Sequence, residues 1–113
     1  MEIMRYFLFL LMVCSPTVIA ECIPTACVGV GKEALLSVYP NQTGHIYLQA
    51  PAGKEKLNCK LVEGHFMVLK NTHPVFDAMY STVLTALSTQ KQLTVRIVEN
   101  SEDCEVSYVR MFM

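Results

Sequence analysis

Four of the five cysteines in this chain have the residue type and position to do chemistry. Cys22 and Cys27 lie close together, whereas Cys59 and Cys104 are far from them and from each other. Cysteines form disulfides, bind metals or exchange electrons. The Cys22-x4-Cys27 spacing differs from that of a dithiol redox motif, which has two intervening residues. We therefore predict that these four cysteines form structural disulfides.

Histidine and serine do not form a recognisable catalytic or metal site in this sequence. The three histidines, His45, His65 and His73, lack the spacing of zinc ligands. Serines and threonines are plentiful, but no Gly-x-Ser-x-Gly nucleophile motif accompanies them. The sequence predicts no catalytic residue, no metal and no cofactor. The chain is therefore not expected to be an enzyme.

Residues 1–20 have the three parts of an export signal. A short start carrying Arg5 precedes an unbroken apolar run at 6–13, and the small residue Ala20 ends the segment. These features predict a signal peptide that is cleaved after Ala20, so that Cys14 is discarded. The alternative is a membrane anchor, but a spanning helix needs about 20 apolar residues, and this run is far shorter. We expect a secreted or periplasmic protein without a membrane anchor.

The segment 21–113 is short enough to form a single domain. The whole chain has a net charge of −1. Nucleic-acid-binding domains normally carry a basic excess, so we expect no nucleic-acid partner. A domain of this size buries a modest fraction of its surface, and exported domains commonly compensate with disulfides.

Four cysteines allow three disulfide pairings. We favour Cys59 with Cys104, because the first lies at the expected start of a strand and the second at the expected tip of a hairpin. Cys22 would then pair with Cys27 near the new N-terminus. The sequence by itself leaves the other two pairings open.

Alternation of apolar and polar residues predicts five strands, three before a helix and two after it. An isolated glycine in the third strand, at Glu63–Gly64, indicates a bulge or a sharp bend. A polar turn joins the last two strands as a hairpin. The predicted strands are 32–39, 45–49, 57–70, 93–99 and 105–113.

The period of the apolar residues changes from two to about 3.6 after position 73, which predicts a helix over 74–90. Pro74 suits the first helical position, and Thr72 or His73 suits the cap. An apolar stripe along this helix is expected to cover the core. The stripe consists of Val75, Phe76, Met79, Tyr80, Val83, Leu84 and Leu87.

The opposite face of the helix carries short polar side chains, Asp77, Ser81, Thr85 and Ser88, at helical spacing. Helix faces in bulk water usually carry long charged side chains, which favour helix formation more than Ser and Thr do. Small side chains permit another surface to approach closely. Two interpretations stay open, a solvated face of weak helix propensity and a subunit contact or pore-facing surface.

The element order is β-β-β-α-β-β. This order is typical of a five-stranded OB-like barrel, in which the helix closes one end. The predicted fold is therefore mainly β with one α-helix, arranged as a single OB-like domain over 21–113.

Residues 74–98, with the sequence PVFDAMYSTVLTALSTQKQLTVRIV, resemble part of the binding (B) subunits of pentameric bacterial toxins of the pertussis and subtilase-cytotoxin type. Those subunits have an amphipathic helix rich in Ala, Tyr, Ser and Thr that leads to a Val-Arg-Ile-like strand. The resemblance implies a homopentamer whose helices line a pore, a host glycan as ligand and a catalytic toxin subunit as partner. It also implies that this chain performs no catalysis itself.

The residues of the family's sugar site do not carry over to this sequence. In the sialoglycan-binding members an aromatic residue follows the Val-Arg-Ile strand, whereas Val98 and Glu99 stand here. The serine-bearing segment of that site has no counterpart around Gly29 to Lys32. The ligand-binding residues are thus unassigned from the sequence. The alternative function is a secreted or periplasmic protein-interaction module without a sugar ligand.

Overall fold

The computed structural model describes residues 20–113, and within them the chain is mainly β with one α-helix, as predicted. The predicted signal peptide lies outside the described residues, except for Ala20. The elements are β1 (Glu21–Ile23), β2 (Ala26–Gly29), β3 (Ser37–Pro40), β4 (Ile46–Gln49), β5 (Phe66–Leu69), α1 (Phe76–Ser88), β6 (Leu93–Ile97) and β7 (Val106–Met111), with short 3-10 turns at Gly31–Glu33 and Lys54–Lys56.

The strands form two antiparallel sheets. One sheet has the order β1-β2-β6-β7 and the other has the order β3-β4-β5. The predicted order of three strands, a helix and two strands is wrong, because five strands precede α1. The additional strands β1 and β2 form a hairpin, and strands of three and four residues are too short to display a period in the sequence.

All five predicted strands are shorter than their sequence patterns predict, and two of them differ markedly. The alternating segment 32–39 begins in a 3-10 turn and becomes a strand only at β3. In the segment 57–70, Glu63 and Gly64 both have positive φ angles, 55° and 75°, and form a tight turn, which is the sharp bend of the two predicted alternatives. The amide of Phe66 donates to the carbonyl of Val62 across this turn, at 3.0 Å. Only β5 continues as a regular strand.

The chain folds back sharply after β2, where Gly29 makes a close backbone contact. A β-carbon at this position would lie 2.5 Å from the carbonyl carbon of Glu33, closer than side chains tolerate. Glycine therefore permits the 3-10 turn that separates β2 from β3. The same backbone thus contributes β2 to one sheet and β3 to the other.

The two sheets meet at Cys104. The backbone amide of Val68 in β5 donates to the carbonyl of Cys104 at 3.0 Å, and Val68 and Glu105 form a parallel bridge. Cys104 is also joined to Cys59 by a disulfide. The second disulfide links Cys22 to Cys27 across the β1–β2 hairpin. These are the two bonds that the sequence favours.

An ion pair accompanies this junction. The Lys70 ammonium lies 2.8 Å from the Asp103 carboxylate and 3.9 Å from that of Glu105. The hydrogen bond to Asp103, aided by the attraction of both carboxylates and opposed by desolvation, raises the pKa of Lys70. Because this pKa is higher in the folded state, the stabilisation is complete below the ordinary lysine pKa and disappears as the pH rises through the raised value. The pair is partly exposed and contributes little.

The core is apolar and combines side chains from both sheets with the inner face of α1, which contacts β6 and β7. Met79, Val83 and Ala86 are the buried residues of the helix. Two residues of the predicted apolar stripe, Val75 and Leu84, are instead 52% and 40% exposed. Val75 precedes the helix. Within α1, the way the helix packs on the sheet leaves Leu84 facing solvent and the small Ala86 facing the core.

His73 connects the start of the helix to the last strand. Its Nδ1 accepts from the amide of Val75 at 3.2 Å, and its Nε2 lies 2.8 Å from the carbonyl of Ser107, to which it donates. The ladder between β6 and β7 is irregular at Ser107, so its carbonyl is free for this bond. The helix begins at Phe76, two residues after the predicted start, and ends at Ser88.

We predict that loss of the Cys59–Cys104 disulfide destabilises the domain more than loss of Cys22–Cys27. The first bond closes a loop with a sequence separation of 45 and the second one of 5. On the chain-entropy model these loops correspond to about 4 and about 2 kcal/mol. Urea unfolding of the Cys59→Ser/Cys104→Ser and Cys22→Ser/Cys27→Ser variants checks the order. In reductant the differences from the wild type should vanish, and equal midpoints under oxidising conditions would contradict the prediction.

Replacing His73 with alanine should lower the free energy of unfolding by about 1–3 kcal/mol, because two backbone groups lose a partner. His45→Ala is the matched control, since the His45 ring accepts only from the amide of Asn71, at 3.1 Å. Thermal unfolding monitored by circular dichroism measures both variants. A loss for His73→Ala no larger than that for His45→Ala would refute the proposed connection.

Candidate functional site

The outer face of the β3-β4-β5 sheet displays a row of aromatic side chains. The register pairs Tyr39 with Tyr47 and Gln49 with Phe66. Alternate residues of a strand point to opposite faces, and Val38, Leu48 and Met67 point to the core. The three aromatic residues are therefore directed away from the core. We call Tyr39, Tyr47 and Phe66 the aromatic cluster.

The rings of the aromatic cluster pack against one another largely edge to face. The ring centroids of Tyr39 and Tyr47 are 5.2 Å apart at an interplanar angle of 70°, and those of Tyr39 and Phe66 are 5.5 Å apart at 76°. The Tyr47 and Phe66 centroids are 5.8 Å apart. These separations are in the favourable range for aromatic pairs, which restrain one another's orientation. Tyr39 is 40% exposed, so the cluster presents a stable apolar surface to solvent.

Polar groups surround this apolar surface. The amide nitrogen of Asn41 donates to the hydroxyl oxygen of Tyr39 at 3.1 Å. The hydroxyl of Ser37 donates to Oε1 of Gln49 at 2.8 Å, on the same face of the sheet. These groups are partly exposed and keep further hydrogen-bonding capacity.

A lysine–histidine pair lies beside the Phe66 ring. The His65 ring has its centroid 6.2 Å from that of Phe66, and the Lys54 ammonium lies 2.7 Å from Nδ1 of His65. Since ammonium is a donor only, Nδ1 must accept, which leaves Nε2–H of His65 as a donor. The aromatic cluster thus has donors and acceptors at its edge and an apolar centre.

The four residues of the predicted polar helix face, Asp77, Ser81, Thr85 and Ser88, are all exposed in α1. Leu84 lies among them, and the Ser88 hydroxyl donates to its carbonyl at 2.6 Å. Asp77 is the only charged residue in the helix. The exposed face of the helix therefore carries mostly small side chains and little charge.

The cysteines and histidines take structural positions. Cys22, Cys27 and Cys104 are buried within disulfides. Among residues 20–113, no three His, Cys, Asp or Glu side chains are grouped closely enough to hold a metal ion. An open groove of about 420 Å³ beside Cys59 is lined by residues 57–60 and 100–102, which include no aromatic side chain. It therefore offers a ligand less apolar contact than the aromatic cluster does.

The amino-acid sequence alone does not reveal the aromatic cluster, because its members are distant along the chain. Tyr39, Tyr47 and Phe66 belong to three strands, and only the register brings them together. The available signal was an aromatic residue on the solvent side of each alternating segment. In the third segment, however, the turn at Glu63–Gly64 hid the start of the true strand.

Comparison of the chain with protein-family models, with curated proteins and with solved structures gives no significant match. Within the part of the chain that the structure describes, no helix is long and apolar enough to cross a membrane.

Proposed function

We propose that this chain is an exported, non-enzymatic binding subunit that recognises a glycan through the aromatic cluster and assembles into a ring. The observation that carries the glycan assignment is the packing of the exposed Tyr39 ring against the half-buried Tyr47 and Phe66 rings, within a polar margin. A pyranose ring has an apolar C–H face and a hydroxyl rim, which complement an aromatic surface with donors and acceptors at its edge. Two disulfides agree with folding in an oxidising compartment.

The proposal includes an OB-like barrel. The turn at Gly31–Glu33 divides one continuous path into β2, which pairs with β6, and β3, which pairs with β4. The parallel bridge between Val68 and Glu105 joins β5 to the residue that precedes β7. If β2 and β3 count as one interrupted strand, this strand, β4, β5, β7 and β6 follow one another in a closed cycle, and β1 adds to the free edge of β2. OB-like barrels bind oligosaccharides on exposed strands and loops, which supports the glycan assignment.

The polar helix face supports ring assembly. Ser81, Thr85 and Ser88 are short enough to let a second copy approach the helix backbone, and Leu84 supplies an exposed apolar contact. A homopentamer and a catalytic toxin subunit, which the toxin resemblance implies, stay predictions.

The second candidate function is a protein-interaction module without a sugar ligand. Exposed aromatic residues are also enriched in protein interfaces, so the same cluster suits a protein partner. A glycan array separates the two functions, because only the first predicts a saccharide whose binding depends on Tyr39.

Glycan binding should be weakened in Tyr39→Ala and retained in Tyr39→Phe. The alanine variant removes the most exposed ring, whereas the phenylalanine variant keeps the ring and removes only the hydroxyl group that accepts from Asn41. Stacking on an aromatic ring contributes on the order of 1 kcal/mol or more, so we expect at least a fivefold weaker affinity for alanine. Isothermal titration with the best array ligand measures it. No array ligand, or equal affinities for both variants at unchanged thermal stability, would overturn the glycan assignment.

Ring assembly should fail in Ser81→Lys/Thr85→Lys, because two long charged side chains would occupy the contact. Gln42→Lys/Thr72→Lys is the control, with the same added charge at exposed positions in two turns. Analytical ultracentrifugation over a range of concentrations should show a monomer for the first variant and an oligomer for the control. A wild-type protein that stays monomeric at high concentration would disprove the ring.

A further inference from the structure

The outer face of the four-stranded sheet carries two exposed arginines, each placed over an aromatic ring. The Arg96 guanidinium carbon lies 5.7 Å from the centre of the Tyr108 ring, and that of Arg110 lies 5.6 Å from the centre of the Phe112 ring. Both rings are more than two-fifths exposed. Such cation–π contacts orient the planar guanidinium while its N–H edge stays free to donate.

The strand register makes the two arginines neighbours. Arg96 in β6 pairs with Tyr108 in β7, and Thr94 pairs with Arg110. Arg96 and Arg110 are therefore diagonal cross-strand residues, whose α-carbons lie about 7–8 Å apart. Two guanidinium groups on long side chains can converge on one ligand at this spacing.

No carboxylate neutralises this pair within residues 20–113. The ion pairs of Asp103 and Glu105 are made with Lys70, and neither arginine has one. The register also places Glu21 on this face, in line with Arg110, but Val28 and Thr94 stand between them. Three strand spacings, about 14 Å in total, separate the backbone of Glu21 from that of Arg110. The two positive charges are thus available to an external anion.

We propose that Arg96 and Arg110 form an oxyanion site that binds a saccharide carrying a sulfate or phosphate ester. A carboxylate has two oxygens in one plane, which a single arginine satisfies in bidentate geometry. A tetrahedral ester presents three terminal oxygens in different directions, so it accepts from two arginines on different strands. The saccharide part of this assignment rests on the proposed function, whereas the anion part does not.

Titration calorimetry at low ionic strength tests the site with four probes: lactose 3′-sulfate, galactose 6-phosphate, unsubstituted lactose and inorganic sulfate. We expect Arg96→Gln and Arg110→Gln each to weaken binding of the better ester by at least about tenfold, since each removes charge-assisted hydrogen bonds. The sulfate and phosphate arms identify which ester is bound. A double variant, Arg96→Gln/Arg110→Gln, combines both changes. Lys56→Gln/Lys60→Gln is its control, because it also removes two exposed positive charges.

The outcomes of these titrations distinguish a specific anion site from non-specific attraction. Equal losses of ester affinity in the arginine and lysine double variants would show that the attraction is non-specific, and would overturn the proposal. The absence of ester binding to the wild type would also overturn it. Equal affinities for inorganic sulfate and the esters would overturn the saccharide assignment. Inorganic sulfate has no sugar ring to stack on the aromatic cluster, so weaker sulfate binding in the arginine variants tests the anion site alone. Failure of the aromatic cluster as a glycan site and failure of this anion site are therefore distinguishable.

Discussion

The rest of the structure depends on the junction at Cys104. Cys104 has a left-handed backbone conformation, with a φ angle of 47°. This conformation is unfavourable for residues other than glycine. That conformation directs its carbonyl to the amide of Val68, while its side chain is fixed by the bond to Cys59. The covalent link thus holds a strained turn in place, and the turn joins the two sheets. Short strands of three to six residues would otherwise share little hydrogen bonding across the sheet boundary.

The geometry of both candidate surfaces, the aromatic cluster and the arginine pair, depends on this junction. Phe66 lies two residues before Val68 in β5, so the bond that fixes Val68 also fixes one side of the aromatic cluster. On the other sheet, Tyr108 and Arg110 follow Glu105 along β7, beyond the irregular register at Ser107. His73 stabilises that irregularity from the helix side. The disulfides therefore have a structural role that positions both candidate surfaces.

The sequence predicted what depends on local pattern and could not predict what depends on register. The helix, the final hairpin and the favoured cysteine pairs follow from periodicity, turn residues and spacing. The β1–β2 hairpin was missed because its strands are shorter than a recognisable period. The aromatic cluster was missed because it requires the pairing of three strands, which no local pattern in Tyr39, Tyr47 or Phe66 contains. Leu84 was assigned to the core because the helical period alone does not fix how far an apolar stripe extends.

The chemistry of the helix face indicates what kind of contact it can make. Thr82, Ser88 and Thr89 donate their hydroxyls to carbonyls four residues earlier, at 2.8, 2.6 and 2.7 Å, so these groups are occupied within the chain. A helix rich in such residues has weak intrinsic propensity and depends on packing for its stability. A partner at this face would accordingly gain from close backbone approach and from Leu84, and little from charge, because Asp77 is the only charged residue of the helix. The contact between copies should therefore be nearly insensitive to salt, in contrast to the arginine pair, whose attraction for an anion is screened by added ions.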